Sequence, residues 1–128
     1  MIVDSSALIA IIRNEPEGAR CKSALIAAPS VRLSSANLVE AYMVVDRSDN
    51  PNAPDEFEFL LSEFAVVIEP VTETQARLAR RAYQRFGKRR HPADLNYGDC
   101  FAYALAQETG EPLLFVGNDF GQTDIGIA

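Results

Sequence analysis

The chain predicts an α/β fold, a mostly parallel sheet sandwiched between helical layers, and three observations carry that prediction. Short apolar or β-branched runs alternate with helical patterns from one end of the sequence to the other. Those runs do not alternate polar with apolar residues, as expected for strands covered on both faces. With 128 residues, 48% of them apolar, there is material for one domain with a real core and no need of disulfide staples.

Met1 to Val3 reads as a short buried strand. Ser5 or Ser6 can cap a helix running through Ala7 to Ile12. Glu15-Pro16-Glu17 starts a second helix, with proline near its first position and acids at its positive end, running to about Ala28. Val31 to Leu33 is the second strand, and Ser34 or Ser35 caps a helix carrying Leu38, Val39, Tyr42 and Met43. Asp49 to Pro54 is loop by composition. Phe57, Leu60, Leu61 and Phe64 then repeat at the spacing of one helical face.

Ala65 to Ile68 is the third strand. Thr72 or Thr74 opens a helix with Leu78, Ala79, Ala82, Tyr83 and Phe86 inward and Gly87 at its end. The last helix begins near Tyr97 or Gly98 and stops at Gly110, ahead of Pro112. Leu113 to Val116 is the clearest strand, and a fifth is expected near Ile125 to Ile127. No repeat or linker divides residues 1–128, which read as a single domain.

Composition narrows the function. Cys21 and Cys100 fit no zinc or redox spacing and read as buried thiols in a reducing cytoplasm. The N-terminus meets an acid at Asp4 with no basic start, unlike a signal peptide. No apolar run approaches the roughly 20 residues that span a bilayer. Net charge is −6, yet seven of the twelve basic residues fall between Arg77 and Arg90. The rest of the chain is therefore strongly acidic.

Five carboxylates stand beside apolar runs, where a core seldom keeps an acid unless it is paired or metal-bound. They are Asp4, Glu40, Asp99, Asp119 and Asp124. In a parallel sheet, sites collect at the carboxyl ends of the strands. Asp4 and Asp119 each follow a strand, while Glu40 and Asp99 lie near helix starts on the same rim. Two carboxylates about 4 Å apart repel by roughly 4 kcal/mol at an effective dielectric of about 20. A cluster of four therefore needs protons or divalent cations. All-oxygen ligands suit Mg²⁺ or Mn²⁺ rather than Zn²⁺, and the one histidine, His91, sits in the basic segment. Singly, each acid also has an ordinary reading as a cap, a turn residue or a solvated side chain.

Four blocks carry a resemblance: Ile2-Val3-Asp4-Ser5-Ser6-Ala7, Ser34 to Glu40, Asn96 to Ala106, and Leu114 to Phe120 with Thr123-Asp124-Ile125. In that order, along the whole chain, they resemble PIN-domain ribonucleases, specifically the VapC toxins of bacterial toxin–antitoxin pairs. The resemblance implies a PIN-like three-layer α/β/α sandwich with a mostly parallel five-stranded sheet. It implies Mg²⁺- or Mn²⁺-dependent cleavage of RNA, often a structured tRNA or rRNA. It also implies a homodimer that a VapB-type antitoxin inhibits within a larger hetero-oligomer.

On this resemblance Asp4, Glu40, Asp99 and Asp119 match the acidic quartet, with one metal ion or two left open. Asp124, Ser6 and Asn118 are outer-shell candidates. Val116 and Asn118 stand where many members carry a further charge, so the rim holds fewer charges here.

Lys88-Arg89-Arg90 is the candidate RNA-backbone contact, weighed against a merely solvated basic helix face. The apolar helices at Ala7 to Ile12 and Phe57 to Phe64 are candidates for a dimer seam or antitoxin groove, weighed against ordinary core packing. Among rivals, a haloacid-dehalogenase-type phosphatase needs a second Asp where Ser6 stands. A response-regulator receiver needs a late Lys, and none follows Lys88. A catalytically inactive PIN-like scaffold that only binds RNA or a partner is the remaining alternative, against which the retained acids weigh.

Overall fold

β1 (Ile2–Val3), β2 (Arg32–Ser34), β3 (Val67–Glu69) and β4 (Leu113–Leu114) form one sheet in the order β3-β2-β1-β4, with every pairing parallel. The computed structural model describes all residues, Met1–Ala128. Six helices surround the sheet: α1 (Ser5–Ile12), α2 (Gly18–Ala27), α3 (Ser35–Asp46), α4 (Ala53–Glu63), α5 (Glu73–Phe86) and α6 (Tyr97–Thr109).

The layers follow from the two-residue period of a strand. Ile2 and Leu113 join the core built with α5 and α6, whereas their neighbours Val3 and Leu114 join the core built with α1 to α4. All four side chains are fully buried, which explains why β1 and β4 are apolar at every position. Burying an aliphatic side chain of this size stabilises the fold by about 2 kcal/mol.

Several helix ends are set by single residues. Asp4, not a serine, is the N-cap of α1, its side chain accepting from Ser6 N. Ser34 and Thr72 cap α3 and α5 in the same way. Gly110 closes α6 with a left-handed φ of 69°, a conformation glycine adopts without steric cost.

Two further expectations are corrected. Four strands form rather than five, because the C-terminal segment meets β4 only at the isolated bridge Leu113–Ile127. There Asp124 and Ile125 turn back toward the α5–α6 layer, leaving a single residue to pair. Tyr83 is exposed rather than inward. The apolar residues of α1 serve the core: Ala7, Leu8, Ile9 and Ala10 are buried. On α4, Phe57 and Leu60 are buried while Phe59 is left exposed. Other large apolar side chains open to solvent include Val39 and Met43 on α3 and Tyr97 on α6.

Candidate active site

Asp4 enters the rim directly from β1, with its backbone N–H fixed to Leu114 O at 2.9 Å. Its side chain is buried. Oδ2 accepts from Ser6 N at 2.9 Å, while Oδ1 is buried without a protein partner. Burial raises the Asp4 pKa, the bonds to Ser6 oppose that shift, and the Glu40 carboxylate adds to it.

Asp99 arrives from the first turn of α6. Its Oδ2 accepts from Asn96 N at 2.8 Å and its N–H donates to Asn96 Oδ1 at 2.9 Å, a reciprocal capping box. That box fixes the side chain on the inner edge of the helix start. Burial pushes its pKa up to about 7. The Asn96 N–H works against the shift, and the negative charges of Asp4, Asp119 and Glu40 work with it. One carboxyl thus feels the other three acids of the quartet.

Glu40 projects from α3. Its Oε2 accepts from Ser5 Oγ at 2.6 Å and from Asn37 Nδ2 at 3.3 Å. Asn37 is fully buried, and its amide also donates to Gly98 O at 3.0 Å. Asp119 differs from these three. It is exposed, on the loop after β4, with no side-chain capping bond to the 3-10 turn at Phe120–Gln122. Gly117, at φ 112°, bends the chain into that loop.

The outer-shell candidates separate. Ser6 Oγ accepts from Val116 N at 3.1 Å and so ties α1 to the segment that leads to Asp119. Arg20 Nη2 donates to Phe115 O at 2.8 Å, one residue earlier in the same segment. Asn118 is exposed. Asp124 is committed elsewhere, with Oδ1 accepting from Tyr103 Oη at 2.6 Å and Oδ2 paired with Arg85 at 2.9 Å. The Tyr103 hydroxyl holds the Asp124 pKa low. Burial and the same bond push the Tyr103 phenol up to about 12.

Lys88, Arg89 and Arg90 are exposed in the loop between α5 and α6. Arg89 has a positive φ of 63° and its N–H donates to Asp94 Oδ1 at 2.9 Å, so the loop is shaped rather than free. The Arg90 guanidinium lies 5.3 Å from the centre of the Tyr83 ring. His91 accepts from Ala93 N through Nδ1 at 3.1 Å, a local turn bond apart from the acids. Arg77 pairs with Glu73 at 2.6 Å and Arg85 with Asp124, so part of the basic helix face is neutralised.

No three Asp, Glu, His or Cys side chains stand close enough together to grip a metal ion as they are. Coulombic influence on Asp99 reaches farther than a ligand shell, which reconciles this spacing with the shared electrostatics. The residues still fit a hard divalent cation. The donors are all oxygen, Asp4 Oδ1 is buried without a partner, and the gathered negative charge calls for a counter-charge. Mg²⁺ keeps several waters and commonly takes only one or two carboxylates, so a spread set of acids suits it.

Sequence reasoning missed Asn37 as an individual residue, and Ser5 appeared only as a capping alternative. One signal was available: Asn37 lies three residues before Glu40, on the same helical face.

The PIN domain family model matches residues 1–126 of this parallel sheet between helical layers, and the chain belongs to that family. Within it, the chain is 50% identical over 126 residues to Ribonuclease VapC28 of Mycobacterium tuberculosis, covering 98% of this chain and 95% of that one. It is 45% identical over 126 residues to Ribonuclease VapC42 of the same species, covering 98% and 96%. The crystal structure of Mycobacterium tuberculosis VapC20, a sarcin-ricin loop cleaving toxin, shares the fold at a TM-score of 0.80 and 18% identity, covering 99% and 97%.

Proposed function

We propose that the chain is a divalent-metal-dependent endoribonuclease, the toxin of a VapBC-type pair, acting as a single domain over residues 1–128. The observation that carries this reading is the buried Asp4 carboxylate, whose Oδ1 has no protein partner, on the same rim as the buried Asp99 and the Glu40 held by Ser5 and Asn37. Buried acids gathered in this way are costly unless a cation offsets them. Family membership and the names of the 45–50% identical relatives support RNA as the substrate.

Asp4, Asp99, Asp119 and Glu40 would hold Mg²⁺ or Mn²⁺, directly or through water. Such an ion, when bound, lowers the pKa of a coordinated water and offsets charge on the scissile phosphate. The chain's own residues do the rest. The capping box keeps Asp99 turned inward, and Ser6 steadies Asp4 through its N–H while its hydroxyl holds the Val116 backbone. Lys88, Arg89 and Arg90 would bind the RNA backbone and position it without reading its sequence. We place the protein in the cytoplasm, as a homodimer restrained by a VapB-type antitoxin, with structured tRNA or rRNA as target. No helix is long and apolar enough to cross a membrane.

The test is RNA cleavage by purified protein while Mg²⁺ or Mn²⁺ is titrated, run beside Asp4→Ala and Asp99→Ala. Cleavage should require the cation and vanish in both variants while they remain folded. RNA binding without cleavage at any cation concentration would favour the inactive scaffold instead.

A further inference from the structure

Asn37 and Gly98 share Glu40 in a way the acid rim alone does not explain. Asn37 is fully buried, and its Oδ1 has no partner. An asparagine tolerated there must gain through its other end. That end, Nδ2, donates to Glu40 Oε2 at 3.3 Å on its own helix and to Gly98 O at 3.0 Å on α6. Gly98 immediately precedes Asp99, so this one amide joins the turn that bears Glu40 to the turn that bears Asp99. Ser5, next to Asp4, donates to the same Glu40 Oε2 at 2.6 Å. A single carboxylate oxygen is therefore held from α1 and from α3, and through Asn37 it is tied to α6.

The other half of the arrangement is a gap. A Cβ added at Gly98 would lie 2.8 Å from Glu40 Cδ and 2.8 Å from Oε2, and closer still to Oε1. Its nearest neighbours are thus the far end of one side chain, not backbone. An added methyl would leave the α6 backbone in place and push the carboxylate out of its hydrogen bonds.

We propose that Asn37 and Gly98 form a latch that positions Glu40: Asn37 holds the carboxylate by a hydrogen bond, and the missing side chain of Gly98 leaves it room. Both are positioning residues that act through Glu40. The inference rests on the metal-site reading above, because it assigns the latch's purpose to cation binding. Outer-shell partners of a metal ligand typically govern about 10- to 100-fold in affinity.

The experiment has two arms, both on the full chain. Without metal, melting temperature is measured for Gly98→Ala in the native background and in a Glu40→Ala background. The clash predicts a loss of ~3 °C in the first and no loss in the second, where the space is empty. With Mn²⁺ alone as probe, binding is followed by the electron paramagnetic resonance of the free ion. Gly98→Ala and Asn37→Ala should each weaken Mn²⁺ about tenfold or more while circular dichroism stays native. Equal losses of melting temperature in the two backgrounds would overturn the latch. Coupled melting temperatures with unchanged Mn²⁺ affinity would overturn its positioning role while leaving the metal site intact. Failure of the native protein to bind Mn²⁺ would overturn the metal-site reading and the latch's purpose with it.

Discussion

Two parts of the acid rim are built differently. Asp4, Glu40 and Asp99 are braced by hydrogen bonds from Ser6, from Ser5 with Asn37, and from Asn96. Asp119 stands on an exposed loop with no side-chain bond, although Ser6 and Arg20 secure the backbone just before it. The braced part stores electrostatic cost in the fold, visible as the raised pKa values of Asp4 and Asp99. The loop part is anchored on the core by Phe120, directly after Asp119, which is buried against Phe115. On the proposed reading, the three braced acids would be held in place before a cation binds and Asp119 would join them from its loop.

The largest expected effect comes from breaking the braced part. Asp99→Asn or Asp4→Asn should lower the cleavage rate on the order of 10³-fold, since a cation's charge stabilisation amounts to several kcal/mol. Single-turnover kinetics at saturating Mn²⁺ would measure it. Asp119→Asn should cost less, about 10- to 100-fold, and part of that loss should return at higher cation concentration. Equal, unrecoverable losses at Asp119 and Asp99 would erase the distinction between the two parts.

Stability against pH sharpens the same contrast. Asp99 keeps its proton up to about pH 7 in the folded, metal-free protein, against an ordinary carboxyl value of 3.8. Between those values the folded state binds more protons than the unfolded state. Stability therefore falls as pH rises through this window and levels off above it, by on the order of 4 kcal/mol. Asp4 contributes with the same sign. Urea denaturation at pH 5 and pH 8 should show the fall in native protein and a smaller one in Asp99→Asn. Added Mn²⁺ should restore stability at pH 8.

Smaller effects lie away from the rim. Replacing Lys88, Arg89 and Arg90 together with Ala should weaken RNA binding and reduce the slope of log affinity against log salt by about 2. An unchanged slope would return these residues to an ordinary solvated surface. Tyr103→Phe removes one bond to Asp124 and should cost roughly 1 kcal/mol in denaturant melts, leaving cation affinity unchanged.

Most of the frame was legible because hydrophobic burial speaks through spacing. The apolar β1 and β4 runs, the Phe57–Leu60 face and the Gly110 stop all follow local rules. The acids Asp4 and Asp99 were legible for the opposite reason, as charges among apolar neighbours. What was not legible depends on contacts distant in sequence. Asp124 looks like a rim acid until Tyr103 and Arg85 are seen to hold it. Asn37 looks like an ordinary helix residue until Gly98, 61 positions away, supplies its second acceptor. The fifth strand failed because pairing with β4 needs register, and only Ile127 finds it.

In the proposed reading, the four acids work as one cation-dependent site. Its most direct test is Mn²⁺ titration of RNA cleavage by the purified protein, with Asp4→Ala in parallel. Cleavage that saturates with Mn²⁺, disappears with chelator and is absent in the variant is the predicted result. Cleavage that persists in chelator, or survives in Asp4→Ala, would contradict it.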